Sequence, residues 1–201
     1  MKTKPTDRLA SSKVRQSHGA ILSIAAAGAA LLMAANITRA ATRTVGAGGA
    51  DHTTIQAAVN ASSSGDTIRI LDAVHTESGI TIASKNLTIE GLGANQTTVQ
   101  AAGTRSTSNG RVFLITSLTS PPYSVTFRDM TIRHGGLTSG NGAAISWNAR
   151  WTSGNILTIE RCVIKDNDCA GEGGGVFADY LTVNVADSTF SGNVGTQGGG
   201  L

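Results

Sequence analysis

The phrase Gly-Gly-Gly-Val at 173–176 returns as Gly-Gly-Gly-Leu at 198–201, 25 residues on, and a looser version, Gly-Ala-Ala-Ile, stands at 142–145. Glycine runs of this kind belong where the backbone turns sharply or where another segment stacks too close for a side chain. The preceding residues repeat too: Ile164 and Asn167 stand ahead of the first copy as Phe190 and Asn193 stand ahead of the second. Asparagine closes such corners because it tolerates left-handed backbone and hydrogen-bonds locally. Stacked copies of it can share amide hydrogen bonds, as in ladders. Recurrence at this spacing marks a repeat architecture, in which each unit buries its apolar face only against a neighbour.

Between the corners, apolar residues come in short alternating pairs: Ile80/Ile82, Leu87/Ile89, Val112/Leu114, Val125/Phe127, Met130/Ile132, Leu157/Ile159, Cys162/Ile164, Leu181/Val183 and Ser188/Phe190. Period two marks strands with one buried face. The stretches 125–135, 157–167 and 181–193 superpose as strand, kink, strand, with Val125 matched to Leu157 and Leu157 to Leu181; 87–100 with 111–115 is a degenerate earlier copy. Three short strands per unit predict an all-β chain, a right-handed parallel β-helix of about five coils over residues 67–201. The loops 103–110 and 147–155 absorb the variation in spacing. Gly is abundant, at 25 residues, while charged residues are 14% and aromatics 4%, which suits turns and strands better than a globular α/β enzyme.

Residues 41–66 read as an N-terminal cap. Thr53 with Gln56 fits a capping box, and Ile55, Ala58 and Val59 share one face of a short helix that the Ser-Ser-Ser-Gly-Asp run at 62–66 ends. Residues 1–40 read as a signal peptide. A basic segment leads into the apolar run 20–36, and Thr38 and Ala40 supply the small-residue positions of a cleavage site before Ala41. At 17 residues the run also lies at the lower edge of a membrane anchor, but it is rich in Ala, a weak membrane residue. Six of the 16 Lys and Arg and one of the 13 acids belong to this leader, leaving ten bases against twelve acids in 41–201. The folded part is therefore slightly acidic and carries no nucleic-acid footprint. The last phrase breaks off at Leu201, so the repeat reading expects either a piece of a longer β-helix or a covered end.

The Gly-Gly-small-aliphatic phrase paired with Phe-x-x-Asn, at Gly198–Leu201, Gly173–Val176 and Phe190–Asn193, resembles the repeats of chlamydial-type polymorphic outer membrane proteins. The stretch Thr54–Leu71 is similar to the opening of many right-handed parallel β-helix proteins of the pectin-lyase-like class. The resemblance covers about residues 43–201 and lacks the C-terminal outer-membrane barrel of those surface proteins. It implies an exported protein, secreted or held at the outer membrane or cell surface, with an adhesin-like role toward host or cell-surface glycans or proteins. The alternative it carries is a polysaccharide lyase or glycoside hydrolase whose catalytic coils are missing or not recognisable here.

The residues themselves assign no catalytic group and no cofactor. Inverting hydrolases need two acids about 6.5–9.5 Å apart, yet the aligned units set Asp129 against Arg161 and Asp187, and Glu160 against Arg128 and Ala186, which reads as surface ion pairs. Asp166, Asp168 and Glu172 form a conceivable Ca²⁺ site, against the plainer reading of a polar turn. Arg133-His134-Gly135 resembles part of a polygalacturonase signature without its acidic companions, so His134 reads as a corner residue; His52 and His75 have no identifiable partners. Tyr123, Trp147 and Trp151 offer either a sugar-stacking platform or loop aromatics packed over the core. Cys162 and Cys169 read as one core and one loop cysteine, with a bridge as the alternative.

Overall fold

The computed structural model describes residues 39–117, 122–150 and 153–201. All but the last two residues of the expected signal peptide lie outside this part. Among the described residues the chain is all-β in class, built on parallel sheets with one short helix. The first sheet orders β1 (Thr42–Val45), β2 (Thr67–Ile70), β5 (Leu87–Glu90), β8 (Ser124–Arg128), β12 (Ile156–Glu160) and β16 (Thr182–Ala186). The second orders β3 (Val74–Thr76), β6 (Thr98–Gln100), β9 (Thr131–Arg133), β13 (Val163–Lys165) and β17 (Thr189–Ser191). The third orders β4 (Ile80–Ala83), β7 (Phe113–Thr116), β11 (Ile145–Asn148) and β15 (Val176–Asp179); β10 (Gly136–Leu137) and β14 (Asp168–Cys169) form a small fourth. Beyond β1, the chain visits the first, second and third sheets in rotation, and every strand pairing is parallel.

Because these strands are only two to five residues long, stability comes from like residues meeting in register. Ile68, Ile89, Phe127 and Ile159 stand opposite one another on the first sheet, Val99, Ile132 and Ile164 on the second, and Ile80, Phe113, Ile145 and Val176 on the third. All are buried in one core, where the Phe113 and Phe127 rings lie 4.7 Å apart in a tilted pair. Each such side chain contributes about 1.5–3 kcal/mol on burial. Burial falls off at the last strands, with Val185 43% and Leu201 56% exposed.

Two expected alignments shift. At 112–116 the inward strand residues are Phe113 and Ile115, with Leu114 turned outward and Val112 buried just before the strand. The segment is apolar in both phases, so alternation alone does not set the face. Leu157 pairs with Val183, two residues beyond the expected Leu181, which lies just ahead of β16.

The corners repeat by position. Asp129, Arg161 and Asp187 have φ of 58°, 49° and 48°; His134, Asp166 and Gly192 have 58°, 55° and 63°; Gly142, Gly173 and Gly198 have 69°, 60° and 57°. Each trio is one left-handed position per repeat, as the first glycine of each Gly-rich phrase requires. In the Gly173 phrase stacking also closes the next two positions, a Cβ on Gly174 lying 2.2 Å from the Val194 carbonyl oxygen and one on Gly175 2.6 Å from that of Gly200, whereas the earlier phrase carries Ala143 and Ala144 there. Asn167 and Asn193 follow the left-handed residue rather than adopting that conformation themselves, and they form the expected ladder. Asn167 Nδ2 donates to Asn193 Oδ1 at 2.9 Å, and Asn167 Oδ1 accepts the Gly135 N–H at 2.8 Å.

The cap helix α1 (Ile55–Ala61) buries Ile55, Ala58 and Val59 as expected. Its N-cap is Thr54 rather than Thr53, accepting from the Ala57 N–H at 3.1 Å. Gln56 does not close a capping box. Its amide instead accepts the Thr81 N–H at 2.6 Å and donates to the Thr81 carbonyl at 3.2 Å, covering the edge of β4 in place of a neighbouring strand. At the other end, Lys85 Nζ donates to the carbonyls of Val59 and Ser62, both at 2.8 Å, complementing the negative end of the helix.

Candidate functional site

The outer face of the first sheet is a regular surface. Thr42, Thr67, Thr88, Thr126, Thr158 and Asn184 stand in one register column across all six strands. Strand spacing of about 4.8 Å makes this a strip about 24 Å long, five hydroxyls followed by one amide. The alternation that sends Ile68, Ile89, Phe127 and Ile159 inward sends these threonines outward.

Beside it runs a second column: Thr44, Arg69, Glu90, Arg128, Glu160 and Ala186. Glu90, 4% exposed, is held between Arg69 Nε at 2.5 Å and Arg128 Nε at 2.9 Å. One position further, Arg161 forks onto Asp129 with donor distances of 2.7 and 2.8 Å and also approaches Glu160 at 3.5 Å. The fork holds the Asp129 carboxyl below its ordinary pKa, the charge-assisted bonds outweighing desolvation. The expected opposition of Asp129 to Arg161 and of Glu160 to Arg128 is present. Glu90 between two arginines was not identified from sequence; its period-two offset from Thr88 was the available signal.

Both carboxylate oxygens of Glu90 and of Asp129 are engaged by guanidinium donors. The face therefore combines hydroxyls of fixed pitch with charges that largely neutralise one another. That chemistry suits reversible hydrogen bonding along an extended ligand.

Asp166, Asp168 and Glu172 do not come together as a cation site. Arg105, from the loop after β6, donates through Nε to Asp168 Oδ2 at 2.7 Å and through Nη2 to its other oxygen, and lies 3.6 Å from Asp166. A guanidinium thus stands where the ion would have to sit, and Glu172 lines a separate cleft with Val176, Phe177 and Leu201. Among the described residues, no trio of His, Cys, Asp or Glu is placed to hold a metal ion. Arg105 and Asp168 are 63 residues apart, and no local pattern links them.

Of the two readings of the aromatics, packing toward the core fits Trp147 and Tyr123. Trp147 is fully buried in register with Ile115 and Ala178, its Nε1–H donating to Ser117 Oγ at 3.2 Å. Tyr123 packs against the core, and Trp151 lies outside the described residues. His134 is a corner residue, as expected, with Nδ1 3.1 Å from the Ala102 carbonyl. His75, expected to lack partners, has two: Asp72 and Glu77. Cys162 and Cys169 are both free and buried, and burial pushes the Cys162 thiol up to about 11. No helix among the described residues is long and apolar enough to cross a membrane. Set against protein-family models, curated proteins and solved structures, the chain matches none of them.

Proposed function

We propose that this chain is an exported right-handed parallel β-helix of about five coils that acts at the cell surface or after secretion as an adhesin-like binding protein. Its ligand-bearing surface is the outer face of the first sheet, and its partners are glycans or proteins of a host or cell surface. The rotation of the chain through three parallel sheets supports the β-helix reading, as do the Gly-rich phrases it shares with polymorphic outer membrane proteins. The basic, Ala-rich leader supports export.

The observation that carries the binding role is the six-strand column from Thr42 to Asn184 beside a self-neutralised column of Arg and Glu. A straight, polar, evenly pitched strip offers many weak contacts to an elongated partner, and repeat proteins bind through such extended surfaces. The lyase or hydrolase alternative draws no support from this face, where Glu90 and Asp129 are occupied by arginine.

The test is binding of the protein to a broad glycan panel and to intact cells, with the double variant Thr88→Arg/Thr126→Arg placing bulky charges mid-strip. Binding by the parent protein and its loss in the variant, with unchanged circular dichroism, supports the role. No binding by the parent, equal binding by both, or turnover of any glycan overturns it.

A further inference from the structure

His75 occupies an inward position on β3, opposite Val99 of β6, where the equivalent residues of later strands are Ile132, Ile164 and Phe190. An imidazole in an otherwise apolar column, only 6% exposed, needs partners. Its Nδ1 lies 3.0 Å from Asp72 Oδ2 and its Nε2 lies 2.9 Å from Glu77 Oε2. Asp72 also accepts the Ala47 N–H at 3.0 Å. Glu77 also accepts the first two helical N–H groups of α1, from Ile55 at 2.7 Å and Gln56 at 3.0 Å. One continuous chain of bonds therefore runs from the segment after β1, through His75, to the N-terminus of the cap helix.

The protonation state follows from geometry. An ionised carboxylate only accepts hydrogen bonds, so a ring nitrogen 3.0 Å or less from each of two carboxylates must donate to both, and only the imidazolium carries both protons. A neutral ring would turn a lone pair toward one carboxylate. Asp72 and Glu77 are the charged groups facing the ring; Val99 of β6 and Ile55 and Gln56 of α1 bring no charge.

We propose that His75 is a proton-operated latch for the cap helix: protonated, it holds Glu77 on the N-terminus of α1, and deprotonated, it lets the helix lift from the sheets. Release uncovers the apolar stripe Ile55, Ala58 and Val59. It also frees the Thr81 edge of β4, which Gln56 otherwise covers. The direction is set by two shifts. The His75 pKa is raised, chiefly by its bond to Glu77, so this stabilisation is complete below the ordinary histidine value of about 6.5 and is lost as pH rises through the higher folded value. The Asp72 and Glu77 pKa values are lowered, so their part is present above the ordinary carboxylate range and is lost as pH falls through the folded values. The latch is closed between these limits and opens on the alkaline side.

Amide exchange of the full chain between pH 6 and pH 10, corrected for intrinsic rates, tests this alongside a nuclear magnetic resonance titration of the His75 ring. Protection of the α1 amides is expected to fall about tenfold or more, with its midpoint at the His75 titration and above the ordinary histidine value. Protection of β8 and β12 should hold across the same range. In His75→Gln the helix should be weakly protected at every pH. Three results would overturn the latch: α1 protection flat with pH, His75 titrating at or below the ordinary value, or α1 opening only together with β8 and β12. The titration of the unaltered chain decides the matter even where His75→Gln does not fold.

Discussion

Replacing Asn167 by alanine removes the centre of the corner ladder. The Asn167 side chain is fully buried and makes bonds at 2.8 Å to the Gly135 N–H, 2.9 Å to the Lys165 carbonyl and 2.9 Å to Asn193 Oδ1. Asn193 Oδ1 keeps the Asn167 backbone N–H at 3.2 Å, so its loss is partial. The buried Gly135 N–H loses the acceptor it has here, and stranding such a donor costs about 1–3 kcal/mol. With the lost side-chain contacts, the total comes to about 2–4 kcal/mol. For a folded part of this size that is a fall of about 5–15 °C in melting temperature. Asn193→Ala should cost less, about 1–2 kcal/mol, because Asn193 is only half-buried, although it too loses bonds: its Oδ1 accepts from the Asn167 N–H at 3.2 Å and Nδ2 at 2.9 Å, and its Nδ2 donates to the Ile164 carbonyl at 2.8 Å. Urea unfolding followed by circular dichroism measures both. A cost for Asn167→Ala below about 0.5 kcal/mol, the range of ordinary surface changes, or one smaller than that of Asn193→Ala, would refute the reasoning.

The remaining predictions concern packing. Gly174→Ala should destabilise by about 2 kcal/mol or more, since its Cβ would meet the Val194 carbonyl at 2.2 Å, whereas Gly48→Ala, with nothing within 4 Å, should be close to neutral in the same unfolding assay. Trp147→Ala should cost about 3–5 kcal/mol, and Trp147→Phe should remove a blue-shifted component of the fluorescence that the native fold shields from water. At pH 8 the native protein should react with far less than one equivalent of a thiol reagent, because Cys162 and Cys169 are buried and the Cys162 pKa of about 11 leaves that thiol protonated. Denaturant should release two equivalents; rapid native labelling at Cys162 would contradict the burial.

The legible part of the fold was its corners. The first glycine of each phrase recurs where the backbone is left-handed, and Asn167 with Asn193 announced the ladder. Alternation gave the buried face wherever the opposite face was polar, as at Ile80–Ala83 and Ser124–Arg128. It failed at 112–115, where Val, Phe, Leu and Ile leave no polar phase to exclude. The hidden features depend on contacts between distant residues. Arg105 reaches Asp168 from a loop that reads only as a connector, and Glu77 meets the helix terminus 22 residues behind it. The three outward threonines of β5, β8 and β12 were visible singly, but as a column they exist only once the register is known. Trp147 reads as the start of the loop 147–155, whereas its strand begins two residues earlier, at the last residue of the Gly-Ala-Ala-Ile phrase.

Parallel, in-register stacking is most directly tested by cross-linking the outward threonines. In a chain with Cys162 and Cys169 replaced by Ala, Thr126→Cys and Thr158→Cys should oxidise readily to an intramolecular disulfide. The two positions are register partners on adjacent strands, about 4.8 Å apart and within the 4.4–6.8 Å Cα span a disulfide accepts. Thr126→Cys with Glu160→Cys, two positions out of register, should bridge poorly. Equal cross-linking of both pairs, or preference for the second, would contradict the stacked arrangement of strands.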